Sequence, residues 1–302
     1  MELKDFKSLK FSDDKFSGSE KEVLWKKIEG IIAESEAGKK HLYLRPLLKI
    51  AAVICVIIST SLIFYYLNSS DNTTQIVVEC QKGRKMEVDL PDGSIVMLNS
   101  DSRVSYASKF KGDYREVKLE GEGYFNVVSN PDKPFIVHTE KIKTSVLGTT
   151  FNIKSYKEEN QIEVVVESGT VSVSRFKEGP GEIIPEDQGA DLILNRNEKV
   201  IFDKSSNNFS AVKSALVKDL IAWKSWVLVF ENATCEEIIN SVERWYAVEF
   251  IVEENATIPS GFTGKFHNTS LNRVLNAISY TSKCEFEIVG DKVLVKSVST
   301  DD

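Results

Sequence analysis

Hydrophobic and polar residues follow three successive patterns along the chain. An uncharged apolar run, Ile50 to Leu67, follows a short charged leader. From Ile76 to about Phe202, apolar and polar residues then alternate with a period of two, which is typical of β-strands. The last part, about Trp226 to Ser297, has apolar residues at helical spacing between short strand-like runs. The pattern therefore predicts a helix, a β-rich domain and a mixed α and β domain, in that order.

The apolar run is long enough to cross a bilayer. As a helix rising about 1.5 Å per residue, Ile50 to Leu67 would extend about 27 Å, close to the hydrocarbon thickness of a membrane. A buried core helix is usually shorter or interrupted, and a cleaved signal peptide would begin nearer the N-terminus. We therefore predict a single transmembrane helix over residues 46–67.

The flanks of this run differ in charge, and the difference predicts its orientation. Four basic residues lie on the N-terminal side: Lys39, Lys40, Arg45 and Lys49. Residues 68–71 on the other side contain no positive charge. Because basic residues stay on the cytoplasmic side, we expect a cytoplasmic N-terminus and an exterior C-terminal part.

The leader, residues 1–45, contains one amphipathic segment. Ser19 and Glu22 fit a capping box, which predicts a helix from Ser19 to about Ser35. On that helix, one face of about 120° is apolar. Its residues are Leu24, Trp25, Ile28, Ile31 and Ile32. The leader is too short to bury this face in a core of its own, so the face predicts a partner. Either a cytoplasmic protein with a hydrophobic groove or the membrane surface would serve, although mixed charges fit a membrane less well.

A polar linker, residues 68–75, precedes the β-rich domain, residues 76–203. The predicted strands are Met86–Leu90, Ser94–Leu98, Glu116–Leu119, Tyr124–Val128, Phe135–Thr139, Ile142–Leu147, Phe151–Tyr156, Gln161–Val166 and Thr170–Arg175. Turns are predicted at residues 91–93, 121–123, 130–132 and 167–169, and a loop at residues 178–188. Many short strands at close spacing favour an antiparallel β-sandwich or roll.

The C-terminal domain, residues 226–298, follows a second linker, residues 204–225, and contains an internal repeat. A shift of about 36 residues aligns its two halves. The shift places Phe230, Asn232, Thr234, Ile238, Ile239, Val242, Phe250 and Val252 on Phe266, Asn268, Ser270, Val274, Leu275, Ile278, Phe286 and Ile288. Thr234 and Ser270 suit helix N-caps. Each half therefore predicts a β-α-β unit, and two such units suggest a split β-α-β sheet with both helices on one face. The fold class is thus a membrane-anchored α+β protein.

Composition excludes some classes of function. The net charge of −7 over 302 residues argues against a nucleic-acid surface. We find no acid–base, nucleophilic or metal-ligand motif, so we expect no enzyme activity, no metal and no cofactor. Of the four cysteines, Cys55 lies in the apolar run and Cys80, Cys235 and Cys284 lie beyond it. Whether Cys235 and Cys284 form a disulfide is left undecided at this point, because sequence does not fix the geometry of the pair.

Five stretches in the β-rich domain resemble the FecR-type family of transmembrane anti-sigma regulators, named for iron dicitrate sensing. They are Leu90–Ser94, Leu119–Val127, Pro134–Thr139, Val146–Ile153 and Glu167–Val173. Together, in this order and behind an apolar run, they are more specific than any one of them.

The C-terminal domain carries a second resemblance. Ala222-Trp223, Leu228–Asn232 and Arg244–Tyr246 resemble the extra C-terminal domain of Bacteroidetes members of this family. That extra domain is similar to the short N-terminal module of secretin and TonB-dependent proteins. The two resemblances together cover most of the chain after Ile76.

The resemblance implies a signalling protein of the bacterial inner membrane. Its cytoplasmic tail would bind an extracytoplasmic-function sigma factor, through Leu24, Trp25, Ile28 and Ile32 in this chain. Its periplasmic part would respond to a TonB-dependent outer-membrane transducer. The alternative is a membrane-tethered periplasmic binding or assembly module with no transcriptional role, in which the tail would be dispensable.

Some family members cleave themselves in the periplasm at a Gly-Thr bond, where the threonine hydroxyl attacks the preceding carbonyl. Gly148-Thr149 is the matching position in this chain. The alternative is structural, because a glycine within a strand often marks a bulge and threonine is common in strands.

Overall fold

The computed structural model describes residues 18–68, 73–175, 192–214, 216–253, 258, 260–281 and 284–297. Contacts divide the chain into two units, Met1–Asn72 and Thr73–Asp302. In the first unit, helix α1 (Gly18–Asn68) is continuous. The leader helix therefore does not end near Ser35, and Ser19 lies within the first described turn instead of serving as its N-cap.

The apolar run lies in the C-terminal part of α1. Every described side chain from residue 50 to residue 64 is exposed. Within the part of the chain that the structure describes, no helix has both the length and the apolar character needed to cross a membrane. The single transmembrane helix over residues 46–67 is therefore not confirmed and stays a prediction.

The second unit begins with a domain of short strands, which we call the sandwich (residues 75–214). Its strands are β1 (Gln75–Cys80), β2 (Met86–Asp89), β3 (Ile95–Leu98), β4 (Ser102–Ala107), β5 (Arg115–Asn126), β6 (Phe135–His138), β7 (Ile142–Val146), β8 (Thr150–Ser155), β9 (Gln161–Ser168), β10 (Thr170–Arg175), β11 (Leu192–Asn195), β12 (Glu198–Asp203), β13 (Asn208–Phe209) and β14 (Lys213–Ser214). The β-rich α+β class is confirmed. The predicted loop at residues 178–188 lies outside the described residues.

These strands form one curled sheet of 14 strands whose two halves share β5. One half has the order β1-β4-β5-β6-β7-β10-β11, and the other has the order β2-β3-β5-β8-β9-β12, with β13 and β14 beside β12. Only β5 and β6 pair in parallel among the described strands of this sheet. The inward side chains of both halves meet in one core, with Leu98, Leu119, Phe125, Phe151 and Ile153 fully buried.

Strand β5 corrects one predicted turn. The pattern predicts two strands joined at residues 121–123, but the chain continues as one strand. Its first part pairs with β4 and β6, and its second part pairs with β3 and β8. Gly121 has a φ of 93°, and a Cβ there would lie 2.4 Å from Ser102 Oγ. Glycine thus permits a bend between the two halves of the sheet, and hydrogen bonds on both sides prevent a chain reversal.

The stretch Leu90–Ser94 forms the predicted turn and has a structural role. The Asp92 carboxylate accepts hydrogen bonds from Ser94 Oγ at 2.7 Å and from Arg115 Nη1 at 2.7 Å. Arg115 is only 2% exposed and also donates from Nε to the Lys133 carbonyl at 2.8 Å. A buried guanidinium needs such a partner, so Asp92 fixes this turn to the start of β5.

A short connector (residues 217–225) and the C-terminal domain (residues 226–297) follow the sandwich. The connector contains helix α2 (Val217–Leu220) and a 3-10 turn (Ala222–Ser225). The domain contains β15 (Val227–Ala233), α3 (Cys235–Tyr246), β16 (Glu249–Val252), β17 (Phe262–His267), α4 (Leu271–Thr281), β18 (Cys284–Val289) and β19 (Lys292–Ser297). Both predicted β-α-β units are present. Their described strands form two sheets, β15-β17 and β16-β19-β18, so the expectation of one split sheet is wrong.

The repeated Asn-x-Thr/Ser sequence has a conformational cause. Asn232 and Asn268 both have a positive φ, 50° and 43°, in the left-handed region that asparagine tolerates. Thr234 then caps α3, because its Oγ1 accepts from Glu237 N at 3.2 Å while Glu237 Oε2 accepts from Thr234 N at 2.8 Å. Ser270 directly precedes α4.

The C-terminal domain has a hydrophobic core of its own, which includes Leu228, Ile238, Val242, Val274 and Ile278. The sandwich core is a separate cluster. The disulfide between Cys235 and Cys284 is not formed in this structure.

Substitution of Gly121 tests the bend in β5. Gly121→Ala would place a Cβ against Ser102 at a φ of 93°, and we expect it to lower the free energy of unfolding by about 3 kcal/mol. Gly112→Ala is the control, since Gly112 has a φ of 66° but nothing within 4 Å of the added Cβ. It should cost about 1 kcal/mol. Urea unfolding of the purified chain measures both changes in the free energy of unfolding. Equal changes would contradict the claim that the backbone at Gly121 passes too close to Ser102 for a side chain.

Candidate functional site

The outer face of one sheet half is covered by the connector. Val165 is fully buried and packs against Val217 and Ile221 of the connector. Its neighbours Val164 and Val166 face the sandwich core instead. Strand β9 is therefore buried on both faces, and its outer face serves as a docking surface for the rest of the chain.

A buried carboxylate lies on the same outer face. Glu122, in the second half of β5, accepts hydrogen bonds from Asn99 Nδ2 at 2.8 Å and from Asn152 Nδ2 at 2.9 Å. The Asn152 carbonyl oxygen in turn accepts from Trp223 Nε1 of the connector at 3.2 Å. Burial raises the pKa of Glu122, and the nearby Lys154 and the asparagine hydrogen bonds oppose that rise. This network joins the connector to the sandwich.

Arg244, in the last turn of α3, links the C-terminal domain to the sandwich. Its Nη1 lies 2.5 Å from Glu158 Oε1, and its Nη2 lies 2.5 Å from Glu159 Oε1. The guanidinium also lies 3.7 Å from the ring centroid of Tyr156. Although burial alone would raise the pKa of Glu159, Lys154 and Arg244 hold it below its usual value. The three sandwich side chains that contact the guanidinium come from the segment directly after β8, residues 156–159.

Lys85 of the sandwich makes a second contact with the C-terminal domain. This sandwich lysine places its Nζ 3.6 Å from the ring centroid of Trp226 and 4.1 Å from that of Trp245. The two indoles meet edge to face, with centroids 6.0 Å apart. The Nζ atom is buried, and it has no hydrogen-bond partner among the described residues. Burial lowers the pKa of Lys85 to about 8, against the opposing effect of the Glu122 carboxylate.

The loop that carries Lys85 also caps α3. Gly83 N donates to the carbonyl of Arg244 at 2.7 Å, which satisfies one of the free carbonyls at the helix end. Gly83 has a φ of 74°. The C-terminal end of α3 is thus held by two sandwich loops, residues 81–85 and 156–160. We call this set of contacts the junction.

A cleft of about 520 Å³ lies beside the junction. Its walls include Leu228 and Phe230 of β15 on one side and Gln161, Glu163 and Lys199 of the sandwich on the other. Lys199 is paired with Glu163 at 2.8 Å. Within the described residues, no group of His, Cys, Asp or Glu side chains could hold a metal ion. The arrangement is suited to holding protein segments together by charge and hydrogen bonds.

The predicted sigma-factor contact residues lie on one helix. Leu24 is 51% exposed, and Trp25, Ile28 and Ile32 are half-buried on α1. Residues 1–17 of the predicted cytoplasmic tail lie outside the described residues. Ile50 and Leu67, the predicted ends of the membrane segment, belong to the same helix, and Ile50 is exposed. None of these assignments is tested by the structure.

Gly148 and Thr149 lie in the bend between β7 and β8. A Cβ on Gly148 would lie 2.5 Å from Ser129 Cα, so only glycine fits this close approach. The Thr149 side chain is buried, and its Oγ1 donates to the Thr170 carbonyl at 2.9 Å. A shift of register between β8 and β9 follows immediately, at Thr150 and Phe151. Self-cleavage at this bond stays a prediction.

Sequence reasoning missed Glu122 and the residues of the junction. Glu122 lies within the quoted stretch Leu119–Val127, and Arg244 begins the quoted stretch Arg244–Tyr246, yet neither was assigned a contact. One signal was available: the valine run Val164–Val166 implies burial on both faces of β9. Nothing in the sequence paired Lys85 with two tryptophans far along the chain.

Comparison with known proteins identifies both domains. The family described as "FecR protein" matches residues 76–172, and the family described as "FecR, C-terminal" matches residues 227–295. The chain belongs to the FecR family. The resemblance noted in the sequence is thereby confirmed. The sandwich is thus the FecR domain and the last domain is its C-terminal companion, and the regulatory character of the FecR family agrees with the expectation of a non-enzyme.

Two crystal structures resemble this FecR protein. Each is of a "putative anti-sigma factor from Parabacteroides distasonis ATCC 8503", at 29% sequence identity and with TM-scores of 0.65 and 0.66. They cover 74% and 75% of this chain and 100% of their own chains. A comparison with curated proteins gives no match.

The unusual environment of Lys85 predicts a pH dependence. Its folded-state pKa of about 8 lies below the unfolded value near 10.4. Between these values the unfolded chain binds a proton that the folded chain lacks, so this group makes the free energy of unfolding rise with pH. Allowing for partial exposure, we expect a rise of about 1 to 2 kcal/mol from pH 7 to pH 10.

Lys85→Met provides the reference for this measurement, because it removes only the titrating group. Urea unfolding of both chains between pH 7 and pH 10 should show the parent gaining stability relative to the variant. If the free energies of unfolding of the two chains change with pH in parallel, the lowered pKa assigned to Lys85 is wrong.

Mass spectrometry of the purified chain tests self-cleavage. The family resemblance predicts fragments that end at Gly148 and begin at Thr149. Thr149→Ala should give only the intact chain, because it removes the attacking hydroxyl, whereas Thr149→Ser should still yield fragments. An intact parent chain would show that Thr149 has only the structural role of its hydrogen bond to Thr170.

Proposed function

We propose that this FecR protein is a single-pass anti-sigma factor of the bacterial inner membrane. In this proposal its N-terminal tail binds an extracytoplasmic-function sigma factor in the cytoplasm. Its FecR domain and C-terminal domain lie in the periplasm and respond to a TonB-dependent outer-membrane transducer. The protein is a regulator and has no catalytic role in transcription.

One observation carries the anti-sigma role. Both FecR family regions occur in order in one chain, and the structural neighbours that span three quarters of it are described as anti-sigma factors. A shared fold with sequence identity at this level supports a shared regulatory role. The class of sigma factor and the transducer come from the family resemblance alone.

The apolar face of α1 supports a protein partner for the tail. Leu24 and Ile31 are 51% and 63% exposed, beside the half-buried Trp25. An exposed apolar stripe at helical spacing is the pattern that fits a hydrophobic groove on another protein. A tryptophan in such a stripe commonly supplies a large share of the binding energy.

The membrane location is supported by the sequence. The run from Ile50 to Leu67 carries no charge, and basic residues flank only its N-terminal side. The exposure of the described side chains from residue 50 to residue 64 means that this apolar surface is available to lipid. A single helix transmits a hinge motion poorly, so the proposed signal is regulated cleavage or altered association of the chain.

Co-purification of the full chain with the sigma factor tests the cytoplasmic half of the proposal. Trp25→Ala should weaken binding by about 30-fold, because a tryptophan anchor contributes about 2 kcal/mol or more. Val23→Ala is the matched control, since Val23 is exposed but lies off the apolar stripe. Equal retention by the parent and Trp25→Ala would exclude this helix face as the contact.

Removal of residues 1–45 distinguishes the proposal from the alternative module. The proposed anti-sigma factor loses control of its target genes when the tail is deleted. A periplasmic binding or assembly module without a transcriptional role would keep its function. Normal gene regulation in cells that carry the shortened chain would therefore reject the proposal.

Protease treatment of spheroplasts tests the topology. External protease should degrade the FecR and C-terminal domains and leave a small fragment that contains the N-terminus. Accessibility of both chain ends from the same side of the membrane would contradict a single crossing.

A further inference from the structure

The FecR domain and the C-terminal domain are joined mainly through polar and aromatic contacts. Each domain has its own hydrophobic core, and the two clusters share no residue. Between them lie the ion pairs of Arg244, the aromatic contacts of Lys85 and the hydrogen bond from Gly83 to the end of α3. Because interfaces of this kind resemble transient protein contacts, the two domains can separate without exposing either core.

The two buried cations of the junction, Arg244 and Lys85, are in opposite situations; Lys82, which lies 3.8 Å from Glu243, is more exposed. Arg244 is paired with Glu158 and Glu159 and stacks on Tyr156, so its charge is fully compensated. The ammonium of Lys85 is buried between two indoles, and the described residues give it no hydrogen-bond acceptor. An ammonium in water keeps its full hydration, and the aromatic faces replace only part of it.

We propose that these contacts form a releasable clasp. Arg244 holds the C-terminal domain on the FecR domain, while the buried ammonium of Lys85 opposes that attachment. Opening the clasp returns Lys85 to water and leaves both domains folded. The clasp consists of Lys85, Trp226, Trp245, Arg244 and the Glu158–Glu159 pair.

Trp226, where the chain passes from the connector to the C-terminal domain, has a strained backbone. Trp226 joins the connector to β15 and has a φ of 59°, in the left-handed region that bulky side chains rarely adopt. The same residue supplies one face of the Lys85 site.

The connector stays with the FecR domain when the clasp opens. Val217 and Ile221 pack on Val165, and Trp223 donates to Asn152. Among the described residues, one ion pair, Lys265 to Asp219 at 2.7 Å, joins the C-terminal domain to the connector, and it is partly exposed. Such a pair contributes little to holding the domains together.

The clasp does not depend on sigma-factor binding or on a membrane location. It is a property of residues 73–297 alone, and it would be present in the alternative module as well. Its failure would leave the proposed function untouched, and failure of the proposed function would leave the clasp untouched.

Hydrogen–deuterium exchange of the full chain tests the clasp. Peptides covering residues 81–85 and 243–249 report on the junction, because Gly83 N donates to the Arg244 carbonyl. Peptides covering residues 162–166 and 274–278 report on the two cores. Arg244→Met should speed exchange at the junction by about tenfold or more and leave the core peptides unchanged.

Lys85→Met is expected to act in the opposite direction. Methionine keeps an unbranched chain between the indoles and removes the buried charge, so exchange at the junction should slow by about threefold or more. Faster exchange in Lys85→Met would overturn the proposal, because it would show that the lysine holds the domains together. An unchanged exchange rate at the junction would also overturn the proposal, because it would show that the buried charge of Lys85 does not oppose the attachment.

Two further variants control for other effects. Arg103→Met removes another arginine placed between two glutamates, Glu79 and Glu120, but within the FecR domain. It should leave exchange at the junction unchanged. Arg244→Lys keeps the charge without spanning both carboxylates and should open the junction less than Arg244→Met. If either Arg244 variant speeds exchange in the core peptides as much as at the junction, the domains do not separate independently and the proposal fails.

Discussion

Strand β5 is the constraint on which the remaining architecture depends. It pairs with β4 and β6 in its first part and with β3 and β8 in its second, so it belongs to both halves of the sheet. The change occurs at Gly121, where the backbone passes so close to Ser102 that no side chain fits. Ser102 Oγ accepts from the Glu122 amide at 2.8 Å, which fixes the strand immediately after the bend. The bend therefore sets the position of Glu122 and of everything that packs on it.

From this position the polar contacts extend outward. Glu122 orders Asn99 and Asn152, and Asn152 receives the Trp223 indole of the connector. The connector leads directly into the C-terminal domain, whose Arg244 forms ion pairs with Glu158 and Glu159 of the FecR domain. Charges and hydrogen bonds thus position the two FecR regions relative to each other, while separate hydrophobic cores stabilise each of them. A regulator built this way can change the relation between its domains without unfolding either one.

Sequence patterns predicted those strands, caps and turns whose structure depends on contacts between residues close together in the chain. The strand Thr170–Arg175 has the predicted bounds, and the strand Met86–Asp89 differs by one residue. Thr234 caps α3 as expected, because a capping box needs only neighbours in sequence. The turn at Leu90–Ser94 was also readable, since Asp92 accepts from Ser94 Oγ and Gly93 N donates to the Leu90 carbonyl, both within the turn. These features depend on interactions over short sequence distances.

Other predictions required partners from elsewhere in the chain. Residues 121–123 contain two glycines and would make a turn in isolation, but pairing on both sides keeps β5 extended. Two β-α-β repeats allow one sheet or two, and the described strands of the C-terminal domain form two. The predicted contact face of α1 and its membrane segment follow from sequence pattern, and the structure leaves both as predictions.

The sequence by itself determined the order of the domains, most of the strands, the helix cap at Thr234 and the family to which the protein belongs. It did so because alternation, capping and turn chemistry act between neighbouring residues. Only the tertiary structure decided that Glu122 is buried and that Arg244 and Lys85 meet the opposite domain. The reason is that a charged residue on the surface of a strand, helix or loop has the same local pattern whether water or another domain covers it.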